Sequence, residues 1–559
     1  MSLPPGVAQT AGTPAEDRLP DAGKPGISGW NAYFIFKLLL LWRGLIDFHA
    51  LENLAFFMLL VFPLGPLLRR VRLVLAVPMA VLLLYHDSFL PSPMRLFERA
   101  GAMTEFSVPY AIELLGRFVS VPVVTLMAGA LFMLLLLRHV VRINMVVLVM
   151  LVGLVAVDLM GANGTGPTVL ATNAADGAPA ARASATPGPT RLAEGGSNAE
   201  LNRILQSFYV TEARRVVRLP TPGNAELPFD LVFIHVCSLS WDDMEAAGLQ
   251  LHPLWKSFDI VFRHFNAAAT YSGPAAVRIN RATCGQTSND GLYAPVPERC
   301  YLMPSLKLAG FDLNFAMNHD GHFDDFLKLI RQQGLNVAPI PLTGVPVAMK
   351  GFDDSPIYDD GAVLTRWRTQ RSISPAPRAA LYYNTVTLHD GNRLVGAGSD
   401  MNSLQSYKFR LTRLFDEMEA LMQTLATGPR RTVVVLIPEH GAAVRGDRFQ
   451  VAGLREIPTP AITTVPVGIR VIDPSANTER DTAYVDRPSS FLALSQVIAR
   501  MLEKSPFGPA PFDPQPYVAD LPTTEFVAEN QGVLMRVENR YFLREDREHW
   551  RALAFDNPP

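Results

Sequence analysis

Residues 432–441, TVVVLIPEHG, carry an apolar, β-branched run that stops abruptly at a carboxylate beside an imidazole. A strand in a parallel sheet is covered on both faces, so it reads as near-continuous hydrophobicity, and ligands of open α/β sheets bind beyond the carboxyl ends of such strands. Glu439 and His440 would stand at that end, either as metal ligands or as a polar turn capped by Gly441. A second run, 231–236 (LVFIHV), delivers Cys237 to the corresponding place, and a thiolate at a strand end suits zinc. In TYSGPAA, Ser272 comes just before a helix-compatible stretch at 274–283, with Gly273 allowing close backbone approach. The free N–H groups and dipole of a helix's first turn favour a phosphate or a developing oxyanion there. Each residue has a plainer reading by itself, Cys237 as a small core residue and Ser272 as an N-cap. A thiol, a hydroxyl and a Glu-His pair from three strand-to-helix junctions argue together against coincidence.

The elements that must position these groups begin after about residue 199. Strand patterns near 231–236, 312–317, 380–386, 432–437 and 464–471 alternate with helix patterns near 274–283, 322–333, 402–426 and 488–503. That alternation predicts an α/β fold with a mostly parallel central sheet covered on both faces, in one large domain over 199–559. The last segment, 527–555, reads as a terminal hairpin.

Upstream the composition changes. The chain has 559 residues, 49% hydrophobic and only 18% charged, with mean hydropathy +0.16, which points to a membrane. Five candidate spans lie at 30–48, 51–68, 71–90, 120–137 and 143–160, each near the ~20 residues a bilayer needs. They predict a five-helix transmembrane bundle over 30–160 after an amino-terminal tail, 1–29. Arg69, Arg70 and Arg72 between the second and third spans, and Arg138, His139 and Arg142 between the fourth and fifth, mark cytoplasmic loops. An odd number of spans then places the tail in the cytoplasm and everything after residue 160 outside, in the periplasm of a Gram-negative cell. The first span carries Lys37, Arg43 and Asp47, expensive in lipid; Arg43 and Asp47 could pair on one helix face or mark the outer boundary. Residues 105–118 read as an amphipathic helix at the outer interface, bordering a lipid entry route or simply packing. Residues 161–198, rich in Ala, Gly, Thr and Pro, form a flexible linker with a reach of ~30 to 35 Å.

A net charge of −2 and no basic stripe interleaved with aromatics argue against nucleic acid. Of three cysteines, Cys284 and Cys300 flank a turn-rich loop, where a disulfide would contribute roughly 3 kcal/mol. Cys237 is then left over, and in an oxidising compartment a leftover thiol is a liability unless buried or held by metal.

The motifs VCSLSW at 236, TYSGPAA at 270, CGQTS at 284, GFDDSPIYDD at 351, LHDGN at 388 and PEHG at 438, with the amino-terminal SGWNAYFIFKLLLLW, resemble those of the cellulose phosphoethanolamine transferases of bacterial cellulose secretion systems, the BcsG family, along nearly the whole chain. The resemblance implies an alkaline-phosphatase-like extracytoplasmic domain, a multi-pass inner-membrane location and one zinc ion. It also implies transfer of phosphoethanolamine from phosphatidylethanolamine to glucose hydroxyls of nascent cellulose, beside the subunits of the cellulose synthase complex. On its motifs, Ser272 is the nucleophile. Cys237, Glu439, His440 and the deprotonated Ser272 are the zinc ligands, His389 is an acid/base or phosphate-binding group, Arg455 and Tyr271 are active-site residues, and Cys284–Cys300 is the disulfide. Superfamily relatives that modify lipid A use a carboxylate where this chain has Cys237 and a threonine where it has Ser272. Asp320 and His322, in NHDGHF, receive no role.

Alternative readings remain. The acceptor could be lipid A or another glycan, the activity glycerol-phosphate transfer or sulfatase-like hydrolysis, or the spans could serve as an assembly subunit of the synthase. The plain alternatives for the site are a surface pair of His389 with Asp390 and a salt bridge of Arg455 with Glu456. For the run Asp353, Asp354, Asp359, Asp360, a solvated loop is expected rather than a calcium site.

Overall fold

The β-branched runs become the middle of a seven-stranded sheet. In the computed structural model the described residues are 30–42, 46, 48–88, 107, 108, 110, 111, 125, 129, 143–162 and 197–555, less 224–225, 397–400, 448, 476–480 and 546–548. In chain order the strands are β1 (Asp230–Val236), β2 (Ile260–Asn266), β3 (Asp312–Met317), β4 (Val347–Lys350), β5 (Pro356–Tyr358), β6 (Ala379–Thr385), β7 (Arg393–Leu394), β8 (Thr432–Pro438), β9 (Thr464–Ile472), β10 (Ala483–Val485), β11 (Val527–Glu529), β12 (Val533–Val537), β13 (Arg540–Arg544) and β14 (Arg551–Leu553). The central order is β10-β2-β9-β8-β1-β6-β3. Every neighbouring pair is parallel except the two that β9 makes. The sheet is therefore mixed. A strand buried on both faces reads as continuous hydrophobicity whichever way it runs, so the reversal of β9 leaves no mark in its residue types.

Side chains alternate across this sheet with period two. Leu231 and Phe233 of β1 join the core on one face with Val433, Val435 and Ile437 of β8, while Val232, Ile234 and Val236 join the other with Val434 and Leu436. The second face is covered by helices Asp360–Ile373 and Ser403–Ala426. The longer one starts at a capping box, Asn402 with Gln405, and buries Leu411, Leu414, Phe415, Met418, Leu421, Met422 and Leu425, a stripe at helical spacing. The helices Ser272–Asn280, Leu302–Leu308 and Phe491–Glu503 cover the first face. Strands β11 to β14 make a four-stranded antiparallel sheet, two strands more than the expected hairpin. Leu201 and Leu205 of helix Asn198–Glu212 pack on its Met535 and Phe542.

The chain divides into two compact units: residues 1–90 with 119–180, and residues 91–118 with 181–559. In the first, helices Trp30–Trp42, Ala50–Val61, Pro66–Asp87 and Ile143–Ala162 fall where the first, second, third and fifth spans were expected. Arg69, Arg70 and Arg72 lie inside the Pro66–Asp87 helix rather than in a loop. Among the described residues no helix is long and apolar enough to cross a membrane. Most of the fourth span, the linker, the tail, Arg43, Asp47, Arg138, His139 and Arg142 lie outside the described residues. Lys37 is buried and paired with Asp87 at 2.5 Å, and Asn53 bridges the two, accepting from Lys37 at 2.6 Å and donating to Asp87 at 2.7 Å. A satisfied triad of this kind removes the cost of an unpaired ammonium in an apolar bundle.

Candidate active site and metal centre

Strands β1 and β8 pair in parallel with Val236 opposite Pro438, so Cys237 and Glu439 leave the sheet side by side. Two backbone bonds lock the exit, Glu439 N–H to the Val236 carbonyl at 2.8 Å and Leu239 N–H to the His440 carbonyl at 2.7 Å. The turn after Cys237 holds Ser238 at φ 65°, a left-handed conformation that non-glycine residues rarely adopt and that clusters at functional sites. Beyond β8, a Cβ on Gly441 would meet Ser240 Oγ at 2.7 Å and Asp243 Oδ2 at 2.9 Å. Only glycine permits that approach. It lets the buried Asp243, whose carboxyl burial raises to about 6, accept from the Ala442 and Val444 amides at 2.7 and 3.2 Å.

Ser272 is the first residue of its helix, and Tyr271 occupies the N-cap position without a side-chain capping bond. The serine hydroxyl is thus not an N-cap; its Oγ lies 3.4 Å from Cys237 Sγ. His440 Nε2 lies 4.0 Å from the same sulfur and 3.7 Å from Glu439 Oε2. Cys237, Glu439 and His440 are fully buried, and their ligand atoms all fall within 4.8 Å of one another. Tetrahedral zinc bonds of about 2.0–2.3 Å would put neighbouring ligand atoms roughly 3.3–3.8 Å apart, close to these separations.

The electrostatics also fit a cation. Asn384 Nδ2 donates to Glu439 Oε1 at 2.6 Å, while Oε2 is buried without a hydrogen-bond partner among the described residues. Burial raises the Glu439 carboxyl, against the pull of Ser272 and Asn384. The Cys237 thiol is pushed up to about 12, by burial first and then by the Glu439 charge. Such a cluster resists carrying charge unless a metal ion supplies the opposite sign. His440 Nδ1 lies 2.9 Å from the Gly441 carbonyl, an acceptor, and 3.1 Å from Arg455 Nη1, a donor, while Nε2 faces Cys237 and Glu439.

Arg455 is buried, with Nη1 at 3.3 Å from Ser238 Oγ and 3.1 Å from the His440 ring, and its guanidinium stands 4.9 Å over the Tyr271 ring. The alternative pairing with Glu456 is not what forms: Glu456 accepts from the Tyr271 hydroxyl at 2.8 Å instead. His389 is half-buried and shares a cavity of about 100 Å³ with Tyr271, Ser272 and Arg455. Its Nδ1 donates to the Asp390 carbonyl at 2.7 Å, which leaves Nε2 as the acceptor. Burial, then the Arg455 charge, lowers its pKa to about 4. It is therefore neither a surface pair nor a half-protonated imidazole at neutral pH.

Two residues of this site escaped the sequence reading. Asn384, near the end of β6, holds Glu439 and accepts from the His319 ring at 2.9 Å. An asparagine in the otherwise apolar and aromatic run ALYYNT was its one visible signal. His319 lines the cavity with Asp320, Asp353 and Phe352, and His322 bridges Asp320 at 2.6 Å to Asp353 at 3.4 Å. The acidic run is neither a solvated loop nor a metal cluster among the described residues. Asp354 pairs with Arg393, and Asp359 caps the Asp360–Ile373 helix by accepting from Ala362 N–H at 2.8 Å. Asp360 is buried, accepting from Tyr383 at 2.5 Å and from Thr387. Cys284 and Cys300 form a disulfide, and Cys237 is the free, buried cysteine.

Comparison with known proteins gives a consistent result. Residues 188–550 match the family described as cellulose biosynthesis protein BcsG C-terminal domain, and residues 30–156 match its N-terminal domain. The chain is 39% identical over 551 residues to the cellulose biosynthesis protein BcsG of Escherichia coli (strain K12), covering 94% of this chain and 96% of that one. It is 38% identical over 544 residues to its counterpart from Salmonella typhimurium, with the same coverage. Among solved structures, a protein in the alkaline phosphatase superfamily from Vibrio parahaemolyticus aligns with TM-score 0.44 at 12% identity, over 64% of this chain and 88% of that one. The C-terminal periplasmic domain of EcEptC from Escherichia coli aligns with TM-score 0.40 at 16% identity, over 56% and 94%.

Proposed function

The chain belongs to the BcsG family of cellulose biosynthesis proteins, and from that membership and the site's geometry we propose that it is a zinc-dependent phosphoethanolamine transferase that modifies cellulose. The observation that carries the proposal is the convergence of the buried Cys237, Glu439 and His440 beside the hydroxyl of Ser272, which itself lines a cavity. Phosphatidylethanolamine is the donor, and glucose hydroxyls of nascent cellulose are the acceptor.

Cys237, Glu439, His440 and the Ser272 oxygen would hold the zinc. Bound there, it would lower the pKa of the serine hydroxyl and polarise a phosphoryl oxygen, making a nucleophile of a group that is poor at neutral pH. Ser272 Oγ forms a bond to phosphorus as the bond to the diacylglycerol oxygen breaks, and that oxygen leaves with a proton. The result is a phosphoethanolamine ester of the serine. A sugar hydroxyl then attacks the same phosphorus, its proton passing to His389 Nε2, and Ser272 leaves. A neutral imidazole suits this second half; for the first half, His389 must acquire a proton before it can give one to diacylglycerol. Arg455, fixed by Ser238 and stacked over Tyr271, supplies positive charge to the phosphoryl oxygens. Glu456 holds the Tyr271 hydroxyl and so the ring beneath the arginine.

The donor and the acceptor imply an inner-membrane protein with its catalytic unit in the periplasm, anchored by five spans over 30–160 and working beside the synthase subunits. Exposed Leu67, Val74, Leu82 and Val149 on the amino-terminal helices support this reading, since a soluble unit rarely leaves so much apolar surface open. The Cys284–Cys300 disulfide agrees with an oxidising compartment.

The direct test is mass spectrometry of the full-length protein incubated with phosphatidylethanolamine and no acceptor. A phosphoethanolamine adduct on Ser272 is expected, and cellulose from cells carrying Ser272→Ala should be unmodified. Cellulose modified as in the wild type would sink the assignment.

A further inference from the structure

The catalytic unit contains a stretch that precedes the linker. Ser107 and Tyr110 group with that unit. Within that stretch Ser107 and Tyr110 are each only 8% exposed. Ser107 N–H donates to the Phe352 carbonyl at 2.8 Å, and Arg393 Nη1 donates to Ser107 Oγ at 2.8 Å. The Tyr110 hydroxyl donates to Asp390 Oδ2 at 3.1 Å, and its ring centroid lies 6.1 Å from that of Phe352. The seat for this ring is shaped by Gly391 at φ +79°, where a Cβ would come within 2.7 Å of the tyrosine carbons. No longer side chain could occupy position 391 without expelling the ring.

The residues that receive Tyr110 are the ones behind the cavity. Phe352 and His389 both line it, with centroids 4.9 Å apart. Asp390 binds Tyr110 through its side chain and His389 Nδ1 through its carbonyl. One residue thus links the docked segment to the imidazole, and one ring fills the space between them.

We propose that Tyr110 is a positioning residue of the active site, fixing Asp390 and Phe352 and through them the orientation of His389, so that the site is complete only when Ser107 and Tyr110 are docked. The proposal rests on the role assigned above to His389. Most of 105–118, expected as an interfacial helix, lies outside the described residues, and the role proposed is that of Ser107 and Tyr110 alone. The proposal also predicts that a catalytic unit cut at the linker carries an imidazole without its brace.

The test uses the full-length protein in phosphatidylethanolamine-containing nanodiscs. Tyr110→Phe keeps the ring and deletes the hydroxyl; kcat should fall about 10-fold, a fraction of the ~10²–10⁴ that acid–base catalysis contributes, with KM for the lipid within about twofold. Asp390→Asn should act on the same step, so the double variant should be no slower than the slower single one. Losses that multiply, or an unchanged kcat in Tyr110→Phe, overturn the proposal. Hydrogen exchange reads the docking without reference to chemistry. The Ser107 amide should be protected, and exchange as fast as in an unstructured chain overturns the docking even if the protein is a transferase. Full activity in Ser272→Ala would instead remove the reading on which the role of His389 depends, and leave the exchange result standing.

Discussion

Strand β1 has a buried ionisable group at each end, and the two ends are solved differently. At its start, Asp230 is 2% exposed and accepts from Arg371 Nε at 2.9 Å, Arg371 Nη2 at 2.8 Å and the Ala379 amide at 2.8 Å. The guanidinium is as deeply buried as its partner, and it gives another hydrogen to the Ala376 carbonyl at 2.9 Å. Charge and hydrogen-bonding capacity close there. Beyond the other end, Cys237 and the adjoining Glu439 and His440 gather a thiol, a carboxylate and an imidazole with one carboxylate oxygen left over, and burial raises both acidic groups. The nearest guanidinium, Arg455, is spent on Ser238 and the His440 ring rather than paired with the carboxylate. The same sheet that pays for burial at one end by complete pairing leaves it uncompensated at the other. Under the proposed function, a cation and then a phosphoryl group would complete the second end.

The comparison is broken most directly by removing one group from each end. Cys237→Ala should take zinc from one per chain to none by elemental analysis and reduce transfer to background, while leaving the fold intact by circular dichroism. A chelator should lower the melting temperature of the wild type but not of this variant, because a ligand at 1,000 times its Kd contributes about 4 kcal/mol that the variant never had. Asp230→Asn should do the reverse. Breaking a buried pair by removing one partner costs about 3–5 kcal/mol, visible as a lowered urea midpoint, with zinc per folded chain unchanged. If Asp230→Asn loses metal, or Cys237→Ala keeps it, the two ends are not the distinct devices their geometry describes. A smaller effect belongs to Asn384→Ala. Losing the donor to Glu439 Oε1 should weaken zinc binding about 10–100-fold in a competition titration with a chromogenic chelator, because the carboxylate is then no longer held in place.

These contrasts also explain what the residue types could and could not disclose. The open end was legible, because Cys237 and PEHG interrupt apolar runs abruptly and a strand delivers whatever follows it to the sheet's edge. Five of the seven central strands, β1, β3, β6, β8 and β9, were legible for the same reason. Strand β2 was not: its exposed Arg263 and half-buried His264 break the apolar run, since β2 lies next to the short edge strand β10 rather than at the sheet's centre. The direction of β9 was hidden by its burial. Asp230, Asn384 and Asp360 were hidden because a polar residue within or beside an apolar run does not name its partner; only the register that sets β6 beside β1 brings Asn384 opposite His235 and within reach of Glu439. The docking of Tyr110 was the least accessible, since it joins positions 280 residues apart through a single hydroxyl.

The smallest effect sharpens the comparison by asking whether the open end behaves as a dry site before substrate arrives. An ordinary histidine titrates near 6.5, whereas burial and then Arg455 hold His389 down to about 4. The first half-reaction needs the imidazolium in the free enzyme, and its fraction falls with pH, so kcat/KM for the lipid should be flat below about 4 and decline above it. At pH 5.5 an unshifted ring would keep only about a tenth of its molecules neutral, while this one keeps nearly all. The limb of kcat should lie at higher pH than that of kcat/KM, because the bound phosphoryl group brings negative charge that favours the imidazolium. His389→Gln should lose the limb as well as most of the rate. If the wild type shows its limb near 6.5 in kcat/KM, the ring is solvated in the free enzyme. The cavity end of the sheet is then as wet as the surface, and the desolvation that separates it from the Asp230 end comes only with the substrate.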